Sequence, residues 1–426
     1  MKPGACFRLY YLLMEFDMKL KSKIQKSLTT IIGLSLITLG FCKDVKSDVQ
    51  PISFVPNPQN GYGNGEDQLA QPDDVEILKD GTFIVSDVDN NRVQVFDKNN
   101  ILVKTIDSKT LGLENPEIIP TGIAQDGEGF IYITLEGAGT VARFNPDLTL
   151  DQFIGEKGEL TAEEYFHEAN ENILMNPQGI IVNNDGDVFV IDMNKNVFKK
   201  GDIRNFGFRK FKKIIEDDKV KYVNDRKFTA SQEVTKIMRK SEGMAISNKR
   251  NILFVAEEKP AKGQFGNSTK KRYVGLFDLE TGKFLNRLIG VSMENSFIVD
   301  GNHYESIEGL SVLEDHLYVV DEKEGKVFCY DIDSGKLLWN IGKKAHYYCD
   351  DESDCVIDGV NYNEQSIIAG TAKPHLLNDL TKNELASPDG VCATELNDGT
   401  KILAVVDQWN SRILYYNLEK ILKSFK

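Results

Sequence analysis

"QPDDVEILKDGTFIVSDVDNNRVQVFD", Gln71 to Asp97, reads as a short apolar strand, a turn rich in Asp and Gly, an alternating strand, a second turn and a third strand. The same grammar returns in "IPTGIAQDGEGFIYITLEGAGTVARFN" (Ile119 to Asn145) and "NPQGIIVNNDGDVFVIDMNKNVFK" (Asn176 to Lys199). It returns again in "SEGMAISNKRNILFVAEE" (Ser241 to Glu258) completed by "YVGLFDLETGKFL" (Tyr273 to Leu285), in "IEGLSVLEDHLYVVDEKEGKVFCYDIDSGKLL" (Ile307 to Leu338), and in "SPDGVCATELNDGTKILAVVDQWNSRILYYNLE" (Ser387 to Glu419). One such unit cannot bury both faces of its sheet, whereas several arranged radially can. The fold class expected is therefore all-β, a six-bladed β-propeller over residues 47–426.

The shortest units, with "DNNRVQVFD" as turn and third strand, resemble NHL-type repeats. Two segments break the period. Residues 155–175 read as a loop with a short helix. Residues 199–240 read as a basic insertion after the third blade, with fourteen Lys and Arg in an otherwise acidic chain. Such an excursion either solubilises the surface or attracts a polyanion.

The first 46 residues read as a signal and linker. Lys19, Lys21, Lys23 and Lys26 precede the apolar run Leu28 to Phe41, which is short for a membrane span, and translation is expected to start at Met18. "LGFCKD" then resembles a bacterial lipoprotein box ending at Cys42, the lipidation candidate. The mature domain is expected outside the cytoplasm, as a cell-envelope lipoprotein touching membrane only through its anchor, and as a monomer. Export permits disulfides, and Cys349 and Cys355, flanking "DDESD", could pair, while Cys329 and Cys392 fall within apolar strands. The net charge of −14 argues against a nucleic-acid partner and leaves room for cations.

In a propeller the first strand of each blade lines the central channel, so the residues at its start form a ring. Those residues are Asp73, Thr121, Gln178, Glu242, Glu308 and Asp389. Carboxylates converging on one mouth repel one another unless a cation or proton compensates, and hard oxygen donors without His or Cys suit Ca²⁺. A second set, Asp87, Thr134, Asp192, Glu257 with Glu258, Asp321 and Asp407, closes the second strands, where Asp commonly hydrogen-bonds the following turn.

The spacing in "SEGMAISNKRNILFVAEE" resembles that of the β-propeller phytases, whose "TEGMA" is followed by a turn and "LYIAEE". "SIEGLSV" (Ser306 to Val312) is similar to their "DIEGLTI", and "SPDGVCA" (Ser387 to Ala393) to their "TDGIDV". The resemblance implies a calcium-dependent phosphatase acting on inositol hexakisphosphate or a related phosphorylated small molecule. It makes Glu242, Glu258 and Glu308 catalytic calcium ligands, with Asp389 and Asp74 as further ligands. Two positions depart from the family. Ser306 stands in place of an Asp, and "SDVDNNRV" lacks a lysine pair that grips phosphate, leaving Arg92, Arg143, Lys195 and the basic insertion as substrate-binding candidates.

Two rival readings stand beside it. One is a non-catalytic NHL-like propeller that binds a protein or polysaccharide at the cell surface. The other is a calcium-dependent lactonase or esterase, which would add a His base; none of His167, His303, His316, His346 and His375 sits at a strand start.

Overall fold

The computed structural model describes residues 63–158, 172–193, 206–229, 241–257, 272–289, 304, 306–344 and 384–424, with the short strands Ser53–Val55, Tyr347–Cys349, Asp354–Ile357 and Val360–Asn363. Six four-stranded antiparallel sheets form the blades of a propeller. Blade 1 runs Pro72–Ile77, Phe83–Asp87, Arg92–Phe96 and Leu102–Ile106, from channel to rim. Blade 2 runs Pro120–Gln125, Ile131–Leu135, Thr140–Phe144 and Leu150–Ile154. Blade 4 uses Ser241–Ser247, Ile252–Glu257, Tyr273–Asp278 and Phe284–Ile289, and blade 5 uses Ile307–Leu313, His316–Asp321, Lys326–Asp331 and Leu337–Ile341.

Blade 3 corrects the sequence reading. Its inner strands are Pro177–Val182 and Val188–Met193, and its outer two, Phe206–Glu216 and Lys219–Asn224, come from the segment expected to follow the blade as an insertion. The lysines misled because an outer strand has one wet face. In Lys219–Asn224 the exposed Lys219, Lys221 and Val223 alternate with more buried neighbours, as strand geometry requires.

Blade 6 is assembled from both ends of the domain. Pro388–Glu395, Lys401–Asp407 and Arg412–Asn417 supply three strands, and Ser53–Val55 pairs with Arg412–Asn417 as the fourth. This closure removes the sheet edge that a linear array of repeats would leave.

Apolar residues facing each blade boundary make the core. Between blades 1 and 2 lie Ile84, Val95, Ile123, Ile133 and Phe144; between blades 6 and 1 lie Val75, Phe83, Ala404 and Val406. The two ends of the channel differ. Tight links such as 78–82, 314–315 and 332–336 close one end. The long connections, among them 155–176, 194–205, 258–272, 290–306 and 342–387, all leave strand ends at the other. In the last of these, Cys349 and Cys355 are register partners across a hairpin. The helix expected in 155–175 and the leader, including Cys42, fall outside the described residues. Among the described residues no helix is long and apolar enough to cross a membrane.

Candidate functional site

The inner strand of every blade begins with the same irregularity. Pro72 pairs with Asp87 and Val75 with Val85, leaving Asp73 and Asp74 as a bulge, and equivalent register shifts follow Pro120, Pro177, Ser241, Ile307 and Pro388. A bulge bends its strand and re-aims the extra side chain. Here its repetition brings Asp73, Thr121, Gln178, Glu242, Glu308 and Asp389 to the lining of one cavity of about 220 Å³, at the end of the channel where the long connections emerge.

The residue following each of these is glycine in five blades, and the reason is steric. A Cβ on Gly179 would lie 2.4 Å from the Glu242 carbonyl oxygen, and one on Gly309 would lie 2.5 Å from that of Asp389. Each blade thus rests on the main chain of the next. In blade 1 Asp74 takes this slot, so it is placed one step deeper than the ring expected to bind metal. Its Oδ2 accepts the Ile123 amide at 2.8 Å and its Oδ1 accepts the Val75 amide at 2.8 Å. Burial, reinforced by the charge of Asp73, pushes its carboxyl up to about 7. One pleat further down, burial and the charge of Asp74 push Glu76 up to about 8.

Negative charge is concentrated over blades 4, 5, 6 and 1. Burial, followed by the neighbouring carboxylates of Asp73, Glu308 and Glu322, holds the Asp389 carboxyl well above its ordinary range. Gln408 Nε2 donates to Asp389 Oδ2 at 3.0 Å. Ser306, where the phytase pattern has Asp, is fully buried and donates from Oγ to Glu308 Oε1 at 3.2 Å. Glu322 accepts from Ser387 Oγ, and its amide donates to the Ser306 carbonyl at 2.8 Å. Over blades 2 and 3 the ring positions are the uncharged Thr121 and Gln178, backed by Thr134, and the carboxylate among the lining residues there is Glu136, whose Oε2 accepts from Gln178 Nε2 at 3.3 Å.

The acids that end the second strands serve the turns. Asp87 accepts the Ala70 amide at 2.7 Å, Asn90 Nδ2 at 2.9 Å and Arg92 Nε at 2.7 Å. Asp407 repeats the arrangement with Ala386, Asn410 and Arg412. Asp192 accepts the amides of Met175 and Asn176, and Asp321 those of Ser306 and Glu324. In blade 2 the register places Leu135, not Thr134, opposite Pro120, which corrects the alignment by one residue. Glu257 is the fully buried counterpart in blade 4. The residue after each turn acid lies nearer the mouth. Val88 and Glu136 line the cavity, while Glu322 and Gln408 act on Asp389. Sequence reasoning missed Glu136 and Glu322; their signal was their position, one past the last residue of the second strand, Leu135 in blade 2 and Asp321 in blade 5. Glu258 has that position in blade 4 and falls outside the described residues, as does Lys195.

The structure engages the two described cations expected to bind substrate. Arg92 is held by Asp87 and by the carbonyls of Gly65 and Gln68. Arg143 is buried at a blade boundary, stacked over Phe130 at 3.7 Å and bonded to Asp151 and Tyr132. No Lys or Arg is among the cavity's described lining residues. Contrary to the sequence reading, one histidine does begin a strand: His316 opens the second strand of blade 5, but at the far end, opposite Leu313 and Asp331 and away from the cavity.

Among the described lining residues the ionisable donors are carboxylate oxygens, which suit Ca²⁺. Among the described residues no three His, Cys, Asp or Glu side chains close into a cage around one point. The donor chemistry fits calcium.

The sequence profile of the NHL repeat matches residues 69–96, which hold the first three strands of blade 1. No curated protein sequence matches the chain. Among solved structures, it is similar to a gluconolactonase from Xanthomonas campestris at 14% identity, covering 82% of this chain and 86% of that one, with a TM-score of 0.45. It is similar to virginiamycin B lyase from Staphylococcus aureus at 11% identity, covering 84% and 97%, with a TM-score of 0.41. A chain of the nidogen/laminin complex matches at 12% identity over 63% and 79%, with a TM-score of 0.39.

Proposed function

We propose that the chain is an exported, calcium-dependent phosphatase resembling the β-propeller phytases, acting on inositol hexakisphosphate or a related phosphorylated small molecule. One observation carries the reading: Asp73, Glu242, Glu308 and Asp389, from four different blades, line a single cavity at the loop-rich end of the channel. Residues of this type would hold Ca²⁺ there, with Glu258 beside them on the sequence resemblance. When bound, calcium neutralises phosphate charge and lowers the pKa of a coordinated water.

The chain's own residues position the site. The bulges fix where each carboxylate enters, Ser306 steadies Glu308, and Gln408 steadies Asp389. The Thr121 and Gln178 wall offers neutral groups to a substrate's hydroxyls. Charge repulsion keeps a bare polyanion out of such a mouth, so phosphate entry and cation binding are coupled.

A second reading, a non-catalytic NHL-like propeller binding a protein or polysaccharide, is favoured by the lack of Lys and Arg among the described lining residues and by the internal engagement of Arg92 and Arg143. Phosphate release from inositol hexakisphosphate, measured with calcium and with a chelator, separates the two. Calcium-dependent release lost in Glu242→Gln and Glu308→Gln supports the enzyme. No release from folded protein under any condition leaves the binding propeller.

A further inference from the structure

We infer that the side of the mouth over blades 2 and 3 is a hydroxyl-binding subsite, and that the ligand it fits is a polyol phosphate keeping free hydroxyls beside its phosphate. This rests on the reading above, in which calcium among Asp73, Glu242, Glu308 and Asp389 receives the phosphate, and it specifies what the rest of the ligand carries. Its first support is an unmade hydrogen bond. Gln178 lines the cavity and its Nε2 donates to Glu136 Oε2 at 3.3 Å, whereas its Oε1 is shut off from solvent and has no hydrogen-bond partner. A buried acceptor left unpaired costs free energy, and a ligand that supplies the donor recovers it. The terminal torsion of a Gln side chain is broad, so a partial turn of the amide presents Oε1 to the cavity.

The second support is the sign of the charge. Glu136 is the carboxylate lining this side, and a carboxylate accepts at several lone-pair positions and bonds hydroxyl donors strongly. A phosphate placed here would instead meet a like charge, with no Lys or Arg among the described lining residues to offset it. Glu136 and Gln178 together offer two adjacent acceptors, which two neighbouring hydroxyls satisfy. Both are held before a ligand arrives. Gln178 enters on the bulge after Pro177, and its carbonyl accepts Thr134 Oγ1 at 2.6 Å. The Glu136 amide donates to the Ile119 carbonyl at 2.9 Å, and Lys157 Nζ donates to the carbonyl of Gly137 at 2.7 Å. The inner strands touch in chain order and close from blade 6 to blade 1, so blades 2 and 3 face blades 5 and 6, which carry Glu308 and Asp389. A ligand with its phosphate on the calcium side therefore turns its other substituents to Glu136 and Gln178. Inositol hexakisphosphate has every ring hydroxyl esterified and none to donate there, whereas a singly phosphorylated ring keeps the rest.

The test compares inositol monophosphate with phenyl phosphate, which matches its single phosphate but has no hydroxyl, and with inositol hexakisphosphate. Binding of each to the full-length protein is measured by titration calorimetry in calcium, for wild type, E136Q and Q178A, with urea midpoints to show that the variants fold. Wild type should prefer inositol monophosphate to phenyl phosphate by about 10–100-fold, the range set by hydrogen bonds to a charged acceptor. E136Q should bring that preference to within about 3-fold and Q178A should reduce it, each by removing one acceptor. E136Q should also tighten inositol hexakisphosphate, because a charge facing its phosphates is gone. Wild type that binds the two monoesters alike, variants that weaken all three ligands equally, or folded protein that binds none of them would overturn the subsite. Phosphate release recorded on the same samples keeps the two readings apart. Release without a hydroxyl preference overturns the subsite and leaves the phosphatase, whereas hydroxyl-dependent binding without release supports the subsite and removes the phosphatase.

Discussion

Replacing Gly243 by alanine tests whether the ring of inner strands packs as tightly as its backbone implies. The added Cβ would lie 2.3 Å from the Glu308 carbonyl oxygen, 2.9 Å from the Leu310 nitrogen and 3.1 Å from the Gly309 carbonyl carbon. Ordinary contact begins at 3.4 Å, so the closest approach is short by about 1 Å. All three atoms are backbone of blade 5's inner strand, which is fixed by its ladder to His316–Asp321 and cannot rotate aside as a side chain would. Forcing a methyl group into a packed interior costs about 1–3 kcal/mol. A cost of about 2 kcal/mol lowers the ratio of folded to unfolded protein roughly 30-fold. The matched control is Gly127→Ala, in the far-face turn 126–130, where the new Cβ would meet nothing within 4 Å. Urea unfolding of both variants beside wild type should show a lower midpoint for Gly243→Ala only, with a slope near that of wild type. Calcium affinity should fall with it, because the displaced backbone carries Glu308. Equal midpoints for the two alanine variants would refute the reasoning.

Burial raises the Glu76 carboxyl from 4.5 to about 8. The folded state thus binds a proton that the unfolded state releases above about 4.5, and stability contributed by this group falls as pH rises from about 4.5 to 8. Glu76→Gln should therefore stabilise the protein at pH 8 and do little at pH 4, as read by thermal melts across that range. Calcium should bind more tightly as pH rises, since burial and neighbouring acids raise the Asp389 carboxyl above its ordinary range and a ligand carboxyl must lose its proton; titration calorimetry at pH 5.5 and 7.5 should also show proton release. Asp407→Ala strands the partly buried Arg412 and the Ala386 amide, and a loss of about 3–5 kcal/mol is expected by chemical denaturation. Arg92→Ala and Arg143→Ala should lower stability, while KM for a phosphate ester stays within about 2-fold of wild type if these guanidinium groups serve turns and blade boundaries; a large KM rise would return them to the substrate site.

Much of the architecture was legible because strand grammar is local. Alternating apolar residues, Asn-rich turns and the recurring glycine slot mark each blade wherever they occur, and the ring Asp73, Thr121, Gln178, Glu242, Glu308 and Asp389 followed from aligning the units. The turn role of Asp87, Asp192, Asp321 and Asp407 was equally local, since each acid bonds groups close to its own turn or to the segment just before its blade. The outer half of blade 3 was obscured because its lysines outweighed its alternation. Glu136 and Glu322 were obscured because what brings a residue to the mouth is the bulge and blade tilt, neither of which has a residue type.

By itself, then, the sequence determined the repeat, the number of blades, the acidic ring and the recurring glycine slot beside it, all consequences of short-range periodicity. The tertiary structure decided what depends on distant chain segments meeting. Ser53–Val55 closes blade 6 because an open edge strand must find a partner, wherever in the chain it lies. Arg92 and Arg143 went to internal carboxylates because a buried guanidinium is stable only when paired, and no pattern of neighbours along the chain announces which partner that will be.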